Sequence, residues 1–146
     1  MDALFKTAFP RLVDVASKKT SERDERYNCI AWAFEDNQRF WWPSPKRAFW
    51  PVPCDGQTVK QAFDAWLSID NWTPSDSAEL EPRFKKIALY EKANVPTHAA
   101  RLLPSGRWTS KLGPNIDLVH ELNELEGPEY GVLVQVYKKA TVTESS

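Results

Sequence analysis

Cysteine and histidine are scarce in this chain of 146 residues, with two of each. Cys29 and Cys54 allow one disulfide at most, and without a visible export signal both are expected to stay reduced. A zinc site drawn from Cys29, Cys54, His98 and His120 is disfavoured. No two of these stand a few residues apart, as paired zinc ligands usually do. The expectation is therefore no metal and no cofactor. Charge of one sign is also lacking: the formal net charge of -1 gives no support for a nucleic-acid or anionic-membrane partner. No apolar run approaches the roughly 20 residues that span a bilayer. Met1-Asp2-Ala3-Leu4-Phe5-Lys6 lacks a basic segment followed by an apolar one. The expected compartment is the cytoplasm, unless export runs by a route that needs no such signal. Internal repeats and low-complexity segments are missing too.

Tryptophan and proline are abundant instead, at seven and eleven residues, which points to a compact fold with long, aromatic-pinned loops. A hydrophobic content of 42% and a charged content of 27% are ordinary for a soluble globular protein. One domain is expected over residues 1–140, with a flexible tail at 141–146. Residues 1–19 read as a short helix or packed arm, and Lys18 to Arg26 as a solvated charged loop. A buried helix opening at Cys29 is expected to end near Glu35 to Gln38. Four prolines between Phe40 and Pro53 forbid continuous helix there. Val59, Ala62, Phe63, Trp66 and Leu67 recur at helical spacing, so Gln57 to Ile69 reads as an amphipathic helix, followed by a polar loop to Pro82. After Pro82 the pattern becomes strand-like: Phe84–Glu91, Thr97–Leu103, Arg107–Lys111 and Tyr130–Tyr137. Pro104-Ser105-Gly106 forms a hairpin turn and Gly113-Pro114-Asn115 breaks the chain. Asp117 to Glu126 reads as a short strand or helical turn. Helices first and an antiparallel sheet afterwards give an α+β class.

The stretch that draws chemical attention is Arg26-Tyr27-Asn28-Cys29-Ile30-Ala31-Trp32-Ala33-Phe34. Asn28 is a favoured N-cap, so Cys29 falls in the first helical turn, where the helix dipole favours thiolate. A nucleophilic cysteine needs a histidine from elsewhere in the fold. His98, at the start of a hairpin strand, is the candidate. The plainer reading makes Cys29 a small core residue and His98 a structural one. Trp41, Trp42 or Trp50 are candidates for a cleft wall beside Cys29.

Tyr27-Asn28-Cys29-Ile30-Ala31-Trp32-Ala33, Trp41-Trp42-Pro43, Thr97-His98-Ala99-Ala100-Arg101, Gly106-Arg107-Trp108-Thr109-Ser110-Lys111-Leu112-Gly113 and Tyr130-Gly131 together resemble a bacterial domain family of unknown function. The likeness covers nearly the whole chain. Its layout is similar to the NlpC/P60-type branch of papain-like cysteine hydrolases: cysteine helix, histidine strand, Gly-Arg turn, then a polar residue on the return strand. The resemblance implies a papain-like α+β fold and a Cys29–His98 pair that cleaves a peptide or amide bond. It implies Ser110 as the third member, with Asp117 or His120 as alternatives, and Lys111 as a polar group near the site for a substrate carboxylate. The Cys29 backbone N–H and the Asn28 side chain would meet the oxyanion. Serine brings no charge to the imidazole, a departure that favours the second reading, a catalytically inactive binding or interaction module.

Overall fold

The computed structural model describes residues 9–12, 18–21, 26–43, 49–112 and 117–141. Among the described residues seven strands form one sheet: β1 (Lys19–Ser21), β2 (Thr73–Ser75), β3 (Phe84–Lys92), β4 (Val95–Leu102), β5 (Trp108–Lys111), β6 (Asp117–His120) and β7 (Val132–Ala140). Their order across the sheet is β1-β6-β5-β4-β3-β7-β2, with every neighbouring pair antiparallel. Among the described residues the helices are α1 (Cys29–Ala33), α2 (Val59–Ile69) and one 3-10 turn (Leu122–Leu125). This is a small β-rich domain, and the expected papain-like α+β fold is overturned.

The cause lies at the end of α1. Phe34 caps the helix, and Glu35 enters the left-handed region at φ 66. Its N–H bonds to Trp32 O, while the Asp36 N–H reaches back to Ala31 O at 2.8 Å. That is a Schellman stop, and it halts the helix after five residues. The cysteine segment thus supplies little more than one helical turn where a helical layer was expected.

Helix α2 follows its apolar spacing. Thr58 and Gln61 form a reciprocal capping box, and Ala62, Phe63 and Leu67 are buried. Strand β3 is central and covered on both faces: Ile87 and Leu89 pack toward the helices, Ala88 and Tyr90 toward the opposite side. Ala93 and Asn94, both at positive φ, make the two-residue turn between Lys92 and its partner Val95. The turn at Gly106 closes as expected, with the Gly106 N–H on Leu103 O and the Leu103 N–H on Arg107 O.

Two strands arise where polar loops were read. In β1, residues 19–21 pair with β6 at the sheet edge. In β2, Pro74 lacks an N–H, which is tolerable because this strand is the other edge. Most of the arm expected over residues 1–19, the break at Gly113-Pro114-Asn115 and the tail beyond Thr141 lie outside the described residues. Phe9 and Leu12 are described, and both are buried in the core. Gly131 stands at φ 80, and a Cβ there would fall 2.0 Å from Glu91 O. Only glycine fits, and its neighbour Tyr130 is thereby set against the sheet.

Candidate functional site

Cys29 lies on the helix-covered face of the sheet and is 6% exposed. Burial pushes its thiol up to about 12, against the smaller opposing pull of backbone hydrogen bonds from Ala99, Ile30 and Cys29 itself and of the Lys111 charge. At neutral pH the sulfur is therefore a protonated thiol. Asn28 is the N-cap, as its residue type suggested. Its Oδ1 accepts from Ala31 N at 3.2 Å and Trp41 N at 2.9 Å, and its Nδ2 donates to Trp41 O at 2.7 Å. Both ends of the amide are engaged in tying the Trp41 segment to α1, rather than held out toward an oxyanion.

On the same face the Tyr27 hydroxyl donates to Asp117 Oδ2 at 2.7 Å, and Lys111, fully buried, lies 4.4 Å from the centre of the Tyr27 ring. Lys111 and Asp117 are direct cross-strand partners. Thr109 Oγ1 accepts from the Trp32 indole at 3.2 Å and donates to Leu118 O at 3.0 Å. Trp42 packs edge-on to Phe63 at 5.7 Å, within an aromatic cluster that also holds Phe34, Trp41, Phe49, Trp50 and Trp66.

His98 faces the other way. Strand alternation puts Ala99 under α1, so His98 points to the opposite side. There its ring stacks on Tyr130 at 3.9 Å and meets Tyr90, its cross-strand partner, edge-on at 5.4 Å. A line of polar side chains begins at this ring. His98 Nε2 is 2.9 Å from Ser110 Oγ, Ser110 Oγ is 2.7 Å from His120 Nε2, and His120 Nδ1 is 2.8 Å from Glu121 O.

The chemistry of the last acceptor orders the protons. A carbonyl only accepts, so His120 Nδ1 carries a hydrogen and its Nε2 is a lone pair. The Ser110 hydroxyl then donates to His120, and His98 Nε2–H donates to Ser110. His98 Nδ1 is left as a buried lone pair without a hydrogen-bond partner. Burial, with the His120 charge adding to it, holds His98 well below the ordinary imidazole range. Burial also brings His120 to about 4, despite the bond to Glu121 and the nearby Glu124 charge. Both rings are neutral at pH 7.

The sequence-derived site thus divides. The structure brings His98, Ser110 and His120 together on one face, and Cys29, Asn28, Lys111 and Asp117 on the other. The Cys29–His98 pair does not form. Cys29 and Cys54 are both free, so they share no disulfide. Among the described residues no group of three or more His, Cys, Asp or Glu side chains is arranged to hold a metal.

Three participants had no assigned role. Tyr27 and Tyr130 were visible only as parts of motifs. Arg101 is two residues beyond Ala99, and that alternation signals that it shares the face of Cys29.

Residues 18–138 match a family described as a domain of unknown function, DUF7689. The chain belongs to this family. No curated protein and no solved structure matches it. Among the described residues, no helix is long and apolar enough to cross a membrane.

Proposed function

We propose that this DUF7689 domain is a binding or interaction module rather than a hydrolase. The observation that supports this most directly is the assignment of Cys29 and His98 to opposite faces of one sheet. Thiol hydrolysis needs thiolate and imidazole to act on the same carbonyl carbon. Burial, which pushes the thiol up to about 12, keeps it protonated at pH 7. His98 is committed to Ser110 and stacked beneath Tyr130. What the NlpC/P60 likeness retains is an order along the chain: a cysteine, a histidine strand, a Gly-Arg turn and a polar residue. That order does not assemble a nucleophile.

The test is intact-mass measurement of labelling by a thiol-reactive amide mimic, with wild-type protein and with His98→Ala. Cys54, more exposed and in a turn, should label ahead of Cys29, with no dependence on His98. Selective Cys29 labelling that disappears in His98→Ala would overturn the reading and restore the hydrolase.

A further inference from the structure

Arg101 is the charged side chain whose surroundings explain it least. It is one-fifth exposed, it projects from β4 on the helix-covered face, and its guanidinium lies 4.5 Å from the centre of the Trp32 ring. Among the described residues it donates no side-chain hydrogen bond, and its buried Nε has no partner. The nearest carboxylate, on Glu35, stands 3.9 Å from Nη1, too far for a hydrogen bond. An arginine so desolvated ordinarily has its planar donor fork filled by a carboxylate or phosphate.

A cavity of about 300 Å³ adjoins it, lined by Arg101, Glu35 and Lys85 together with apolar walls that include Ala33, Trp72 and Ile87; Lys86 also borders it but is held by Glu81 at 2.7 Å. That volume suits a small ligand or the end of a chain. Lys85 projects from β3 on the same face and meets Glu35 at 3.1 Å. A neighbouring cation, Lys139, lies beside Lys85 in register but is taken by Asp70 at 2.9 Å. The remaining positive charge converges on Glu35.

Glu35 occupies this position in a strained way. It is the left-handed residue of the α1 stop, at φ 66, where glycine is usual. That conformation delivers its carboxylate between Lys85 and Arg101, yet the side chain remains about half exposed and satisfies no Arg101 donor. It balances charge without filling the fork.

We infer that the cavity beside Arg101 and Lys85 is a binding site for a carboxylate carried on a small apolar body, with Glu35 as a resident counter-ion that the ligand displaces. The carboxylate meets the Arg101 fork and Lys85, and the apolar body lies against Trp72 and Ile87. This inference rests on the reading of the chain as a binding module and names its ligand chemistry.

The experiment is calorimetric titration of the full chain with N-acetylphenylalanine, with its amide, and with inorganic phosphate. The acid should bind saturably and the amide at least about tenfold more weakly, since the amide lacks the charge that the fork requires. Arg101→Gln should weaken the acid about tenfold, and Lys85→Met, on a partly exposed side chain that the fold does not need, several-fold. Glu35→Gln should strengthen it, because the competing charge is gone. Equal binding of acid and amide, or binding unmoved by both Arg101→Gln and Lys85→Met, overturns the site. Phosphate binding more tightly than the acid overturns the carboxylate assignment. If the titration fails while Cys29 stays unreactive, the ligand is wrong and the binding reading stands. If Cys29 proves reactive in a His98-dependent way, the binding reading itself falls.

Discussion

On one face of the sheet, His98, Ser110 and His120 hand a single hydrogen-bond direction to the Glu121 carbonyl. On the other, Arg101 faces a cavity with its donors unfilled and Glu35 only near it. Both faces bury polar groups, and the difference is closure. A line that ends on a backbone carbonyl and is sealed by Tyr130 is built to hold strands together. A desolvated guanidinium without an acceptor has a use only when something else supplies one. The histidine face should therefore carry stability and the arginine face should not.

Acid offers the widest test of that contrast. His98 and His120 both have folded-state values below the ordinary 6.5, so the unfolded chain binds protons that the folded chain refuses. Their contribution is complete above about pH 6.5 and is lost as pH falls toward about 4, where His120 itself begins to protonate. For His120 the loss is about 1.4 kcal/mol per pH unit, roughly 2 kcal/mol by pH 5, and His98 adds to it in the same direction. Urea unfolding between pH 7 and pH 5 measures it, and His98→Gln should make the slope shallower. A flat profile would mean that the two rings take up protons without opening the fold.

Next in size is His98→Ala at neutral pH. It removes a fully buried ring stacked on Tyr130 and leaves Ser110 without its donor. A loss of about 3 kcal/mol is expected by thermal unfolding. Arg101→Gln, read in the same assay, should change stability by less than about 1 kcal/mol. Equal losses would erase the distinction between the faces.

Which parts of this arrangement could be read from the chain depends on how local their causes are. The Gln57–Ile69 helix, the strands after Pro82 and the Gly106 turn follow from spacing and turn chemistry, which act within a few residues. Strands β1 and β2 do not: Lys19–Ser21 and Thr73–Ser75 are polar and short, and only pairing with β6 and β7 makes them strands. The brevity of α1 rests on Glu35 adopting a glycine conformation, which its residue type gives no cause to expect. At the site, Ser110 beside His98 was legible. The separation of His98 from Cys29 was not, because it turns on a one-residue phase: Ala99, not His98, faces α1.

Ser110→Ala separates a linking role from an orienting one. If serine merely steadied a catalytic imidazole, its removal would leave stability nearly unchanged. Here it joins two buried rings, so its loss leaves a donor on His98 and an acceptor on His120 unsatisfied. About 2 kcal/mol should disappear in urea unfolding. Ser110→Thr, which keeps the hydroxyl, should recover part of this loss if the buried space admits a methyl group. A wild-type stability in Ser110→Ala would mean that the two rings find other partners.

Outside the arginine face, the smallest effect belongs to the residue that looked most chemical. Cys29 is a core side chain packed among Ile30, Ala31 and Ala99, and its thiol makes only weak polar contacts. Cys29→Ala removes one sulfur from a packed site and should cost about 1 kcal/mol, below either substitution on the histidine line. The more searching measurement is its reactivity against pH. A thiol at about 12 should label at a rate that still rises tenfold per pH unit through pH 9, with the folded protein intact. Cys54 in the same molecule supplies the internal reference. A Cys29 rate that levels off near neutral pH would mean a stabilised thiolate. Because His98 is on the far face, the stabilising charge would be the Lys111 ammonium, which already pulls the thiol down and lies 4.4 Å from the centre of the Tyr27 ring, and Lys111→Met should then abolish the plateau where His98→Ala would not.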